Sequence, residues 1–188
     1  FNLLTSIILA RSLGPEKLGI WFIYLTIFAS LDAIFRLKSE VSSVYFLASK
    51  KITFRNLERG LLLITFCTIG LLLIIMFIFG DYAYQYFYHD FGNEYKLQFY
   101  SISVTLGLSF IATFYFYLAL GLENYKIYNL IILTQSFVNF IIVFTFMCAF
   151  TPSVWAPIIA INFSWFVAMS IGVYYFHFNQ KKAHNNDR

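Results

Sequence analysis

Charge is scarce in this chain. Asp, Glu, Lys and Arg together make up 12% of its 188 residues, about half of the roughly 25% usual in soluble domains. A soluble fold needs a polar, water-facing side on every element, so that class is excluded. Cysteine is nearly absent too. Cys67 and Cys148 lie inside apolar runs and read as small buried hydrophobes without a disulfide, which excludes a disulfide scaffold. His89, His177 and His184 stand apart, without metal-ligand spacing. Neither a Gly-rich phosphate loop nor a nucleophile elbow occurs, so no enzyme, cofactor or metal is expected. No basic stripe interleaved with aromatics is seen, and the net charge of +4 therefore does not point to nucleic acid.

What the chain has is apolar length. Hydrophobic residues make up 60% of it and the mean hydropathy is +0.73. The runs are continuous and about twenty residues long, which fits spanning helices; a barrel would show alternating strands of about ten. The expectation is an all-α integral membrane protein, one domain over residues 1–188, with crossings at 18–47, 61–79, 99–120, 127–150 and 154–176. Residues 1–10 add a sixth, read as the end of a longer helix because ten residues at about 1.5 Å each cannot cross a core of about 30 Å. No basic stretch precedes them and no small-residue cleavage site follows, which argues against a signal peptide.

The connections are short except for residues 81–98, whose Tyr82, Tyr84, Tyr86, Tyr88 and Tyr95 suit the headgroup zone. Segments 48–59, 121–126 and 177–188 would share one side and carry Lys50, Lys51, Arg55, Arg59, Lys126, Lys181, Lys182 and Arg188. The other side holds only Arg11, Lys17 and Lys96. By the positive-inside rule the first side is cytoplasmic.

One crossing breaks the pattern. Asp32, Arg36, Lys38 and Glu40 fall within it, where each charge costs about 2.5–3.5 kcal/mol at a bilayer centre on insertion scales. On a continuous helix from 18 to 47, about 45 Å long, Asp32, Arg36 and Glu40 form an i, i+4, i+8 stripe and Lys38 points elsewhere. Such a stripe suits a water-filled cavity that meets a charged substrate or a coupling ion, H+ or Na+. The other reading ends the crossing near Phe35 and makes residues 36–59 interfacial. Gln135 and Asn139 on one face of the fifth crossing and Asn162 in the sixth complete the candidate set, with Ser101, Thr105 and Ser109 forming a row in the fourth. Interhelical hydrogen bonds would explain these polar residues equally well.

The stretch LARSLGPEKLGIW, residues 9–21, resembles the LAR-x-LGP-x-x-x-G signature of Wzx-like polysaccharide-export flippases, members of the multidrug/oligosaccharidyl-lipid/polysaccharide exporter superfamily. ALGLENYKIYNLI, 119–131, is similar to the turn after their fourth helix. The resemblance implies one six-helix lobe of a two-lobe exporter in the bacterial cytoplasmic membrane, with membrane lipids and an undecaprenyl-diphosphate-linked oligosaccharide as partners. It implies Arg36 and Lys38 as the residues that meet the diphosphate. A cation-coupled drug or toxin antiporter of the same superfamily and an integral-membrane transferase are the alternatives. Within the motif, Gly14-Pro15 is expected to end one helix and start the next, and Gly19 to permit close helix approach.

Overall fold

The computed structural model describes residues 1–36, 39–49, 54–91, 93–149 and 152–186; of residues 39, 40, 43, 48, 54, 55, 90 and 178–186 it describes the backbone alone. The elements are α1 (Asn2–Phe35), α2 (Ser39–Ala48), α3 (Phe54–Tyr88), a 3-10 turn (His89–Phe91), α4 (Lys96–Gly121), α5 (Tyr125–Ala149) and α6 (Trp155–Asn186). Strands are absent among the described residues. Five stretches are long and apolar enough to cross a membrane: Asn2–Phe35, Asn56–Tyr88, Lys96–Gly121, Tyr125–Ala149 and Trp155–His177. Helix is the only conformation that satisfies every backbone group of such a segment from within, which is why the apolar runs fold this way.

α1 is one stretch of helix only in name. Gly14 inside it has φ 73° and ψ 169°, a region open almost only to glycine, and the following Pro15 favours the extended ψ of its predecessor. The flanking contacts show what this turn does. The Phe1 ring lies 5.2 Å from Phe137 and 5.7 Å from Phe140 on α5. The Lys17 ammonium donates to the Pro152 carbonyl, 2.8 Å away, beyond the end of α5. Arg36 returns to a cavity it shares with Gln135. Measured along α5, the chain climbs and then descends, so α1 doubles back at Gly14. Its limbs, 2–13 and 15–35, are about 18 Å and about 31 Å long. With that reversal the described residues form six apolar helices of near-membrane length, the first of them short.

α4 is the centre. Of its apolar stretch 67% is buried, against 17% for α3 and 11% for α5. Tyr24, Tyr88, Phe99, Ile102, Leu106 and Ile158 build the larger core toward one end. Leu47, Leu57, Leu61, Leu118 and Phe176 build a second at the other. α2 reaches this second core by laying Leu47 against Gly121, whose missing Cβ would sit 2.9 Å from the Leu47 Cδ1.

Four expectations change. The crossing expected at 18–47 is not one helix: α1 ends at Phe35 and α2 begins at Ser39. The 81–98 connection is largely helical, since α3 runs to Tyr88. Two of its tyrosines are buried in the core, Tyr84 stacking on Tyr88 at 5.2 Å with both edge-on to Phe99, while Tyr82 and Tyr86 are exposed. Cys67 and Cys148 are free but exposed, because α3 and α5 turn those faces away from the bundle. Gly19 is exposed with nothing within 4 Å of its absent side chain, so no helix approaches there.

Candidate functional site

The chemistry gathers where α1 stops. Arg36 caps the helix, its backbone N–H bonded to the Asp32 carbonyl at 3.0 Å. A cation suits that end, where unpaired carbonyls concentrate negative potential. One turn back, the Asp32 carboxylate accepts from both Nε of Arg36, at 3.1 Å, and Nη2. Both side chains are half-buried. The guanidinium carbon also stands 5.6 Å from the centre of the Phe110 ring on α4, within the range of a cation–π contact. An apolar setting tolerates this arginine because an acid on its own helix face and an aromatic ring on the next helix both offset its charge.

Arg36 borders two spaces. Toward α3 lies a crevice of about 20 Å³ with Thr65, Thr68, Phe110 and Phe114, room for about one water. On its other side lies a cavity of about 290 Å³ formed by α4, α5 and α6. Among the described residues lining this cavity Arg36 supplies the only charge. Thr113, Tyr117, Gln135 and Trp165 add polar groups, and Ala112, Phe116, Ile131 and Ile132 supply the apolar wall. The Gln135 amide is held toward Ser164 at 3.4 Å. The Trp165 indole Nε1 is shielded from solvent and has no hydrogen-bond partner. A cavity of this size, apolar with a few convergent polar groups and one cation, fits an anionic head group and is too small for a chain of sugars.

Asn162 belongs elsewhere. Its Nδ2 donates to the Ile158 carbonyl at 2.8 Å, which turns Oδ1 toward the Thr105 hydroxyl at 3.0 Å. Oδ1 can only accept, so the Thr105 hydroxyl shares its single proton between it and the Ser101 carbonyl at 3.2 Å, and Tyr24, 2.6 Å from Thr105, is then the donor in their bond. Ser101 gives its own proton to the Gln98 carbonyl, 2.6 Å away. The result is a network of neutral groups joining α1, α4 and α6, the interhelical hydrogen bonding that the sequence left open beside a binding role.

The expected residues are thus only partly brought together. Arg36 and Gln135 line one cavity, and Asp32 orients Arg36. Asn139 is half-buried on α5 and does not line the cavity. α1 ends at Phe35, so Glu40 belongs to α2, and its side chain is outside what is described; Lys38 lies outside the described residues. Sequence reasoning missed Thr113, Tyr117 and Trp165. The one signal was the i, i+4 spacing of Thr113 and Tyr117, which apolar neighbours hide. Set against known proteins, the chain matches no family model, no curated sequence and no solved structure.

Proposed function

We propose that this chain forms a six-helix lobe of a transporter that moves a lipid-linked oligosaccharide, carried on undecaprenyl diphosphate, across the bacterial cytoplasmic membrane. The observation that carries this reading is a cavity among membrane-length helices whose described lining has a single charge, the Arg36 guanidinium, held in place by Asp32 and Phe110. A planar guanidinium grips a phosphate through two parallel hydrogen bonds. The volume of about 290 Å³ suits the diphosphate, and leaves the glycan outside this lobe. The protein binds and moves its cargo without making or breaking a bond in it, and a coupling ion, H+ or Na+, would drive the cycle. The motif at residues 9–21 agrees with this reading.

The test is surface polysaccharide in cells that depend on the protein, at matched expression. Arg36→Ala should abolish export with the membrane level of protein nearly unchanged, and Arg36→Lys should recover part of it, since the charge stays and the fork is lost. Export in the double variant Asp32→Asn with Arg36→Ala should stay absent. Full recovery there would make Arg36 a partner of Asp32 alone and remove it from the substrate site.

A further inference from the structure

We infer that Thr113 is a second recognition residue of this cavity, its hydroxyl a donor to an oxygen of a phosphate or diphosphate ester that Arg36 holds. The identity of that ester as the transported lipid rests on the functional reading above; the role of the hydroxyl does not.

α4 carries a hydroxyl at every fourth residue from Ser101 through Thr105, Ser109 and Thr113 to Tyr117. Side chains so spaced form one inclined ridge, which winds about 40° around the helix at each step. Its first three members are committed to the fold. Ser101 bonds to the Gln98 carbonyl at 2.6 Å, Thr105 to the Ser101 carbonyl and to Asn162, and Ser109 to the Leu106 carbonyl at 2.9 Å. Thr113 and Tyr117 make no hydrogen bond among the described residues, and these two line the cavity. A threonine inside a helix readily returns its proton to a carbonyl three or four residues back, as Thr5, Thr26, Thr68 and Thr145 do here. Thr113 does not, although only 7% of it is exposed. A hydroxyl so placed is costly unless it reaches water or a ligand. Its oxygen keeps open surface, where the Trp165 Nε1 has none, and a residue so nearly covered shows that surface to the space it lines.

The neighbouring groups indicate what the hydroxyl meets. Arg36 packs on Phe110, three residues before Thr113 and about 4.5 Å from it along the helix axis. Cation and hydroxyl therefore border the same space within about one turn of α4. Arg36 can only donate, and no described residue lining the cavity is a carboxylate. An oxyanion brings acceptors alone, and takes the threonine proton as well as those of the guanidinium. A neutral sugar also brings hydroxyl protons, which need acceptors that an arginine does not supply. Gln135 is already engaged, with Nε2 toward Ser164 and Oε1 toward Ser136, so the α4 hydroxyls are the neutral donors without a present duty. A neutral donor adds selectivity for oxygen acceptors without a second positive charge, which keeps the bound anion releasable.

Thr113→Val exchanges the hydroxyl for a methyl of similar size. In lipid nanodiscs this variant should bind labelled farnesyl diphosphate about tenfold more weakly than the parent, the loss expected for one hydrogen bond to a charged acceptor. Thr113→Ala should show the same loss, and Thr113→Ser should recover most of the affinity. Ser109→Ala, one turn earlier on the ridge where the hydroxyl already serves the Leu106 carbonyl, should bind as the parent does. Labelled farnesol should bind parent and Thr113→Val alike. Inorganic pyrophosphate separates two sources of the anion. Competition that is about tenfold weaker in Thr113→Val marks a free phosphate, and absent competition marks a head group delivered only through the membrane. Either of these two results supports the assignment. No saturable binding by the parent, unchanged affinity in Thr113→Val and Thr113→Ala, an equal loss in Thr113→Ser or Ser109→Ala, an equal loss for farnesol, or equal pyrophosphate competition in parent and Thr113→Val would overturn it. Binding of the expected pattern without lipid flipping by the reconstituted protein would sink the functional reading and leave this one standing. Flipping with unchanged affinity in Thr113→Val would do the reverse.

Discussion

At position 14 a side chain has almost nowhere to go. The φ of 73° with ψ of 169° lies in a region that costs other residues about 1–3 kcal/mol, although nothing stands within 4 Å of the missing Cβ. The penalty is therefore one of backbone alone. Gly14→Ala should lower the unfolding free energy in mixed micelles by about that amount. Gly19→Ala, five residues on in open space with an ordinary helical backbone, should be neutral or slightly stabilising. Equal effects of the two would show that the reversal at Gly14 does not depend on its conformation. The motif that drew attention in the sequence is thus a hinge in the chain, separate from the cavity where the arginine sits.

Between elements, α4 and α6 approach closely at Gly172. A Cβ on Gly172 would lie 2.5 Å from the Cβ of Tyr115, a separation no rotamer change can relieve because both atoms are fixed by backbone. Gly172→Ala should therefore push the helices apart and lower the unfolding midpoint, whereas Gly60→Ala, with nothing within 4 Å, should not. The break after α1 is tested by access. In a background with Cys67 and Cys148 replaced, cysteine at 36 should react with a small water-soluble thiol reagent through the cavity. Cysteine at 34, whose native isoleucine is 63% exposed on the outward face of a spanning helix, should be shielded by lipid. Equal rates at both positions would make the region plain aqueous loop.

These elements also mark how far the residues alone could be read. The apolar runs revealed the spans because transfer to lipid depends on composition and length. Helix ends were less legible. Polar residues at 54–60 and 81–88 mark where hydrocarbon would stop, yet the backbone goes on in helix through both. The end of α1 at Phe35 was hidden for the opposite reason: Asp32, Arg36 and Glu40 keep helical spacing in the sequence whether or not the helix continues. The cavity was hidden more deeply, since Thr113, Tyr117 and Trp165 come from two helices and acquire a shared purpose only from how α4, α5 and α6 stand apart.

Over the whole molecule, the two cores define two ends. Leu47, Leu57, Leu61, Leu118 and Phe176 meet at one; Leu18, Phe91, Tyr95 and Trp155 pack on the core toward the other. Leu47, Leu57, Leu118 and Phe176 lie in or beside the segments rich in Lys and Arg, so the packing of these residues agrees with the grouping by which the positive-inside rule sets orientation. A reporter inserted at 93–95 should read as outside and one at 122–124 as inside. The same side for both would break the six-helix arrangement.

The pairing of Asp32 with Arg36 has an electrical consequence. One elementary charge carried through the membrane field exchanges about 2.3 kcal/mol per 100 mV, so an unaccompanied arginine riding on a tilting lobe would tie the motion to the membrane potential. An acid and a base one helical turn apart on the same helix move as a dipole of zero net charge. Any tilt of the helix that carries this pair along therefore does almost no work against the field on their account.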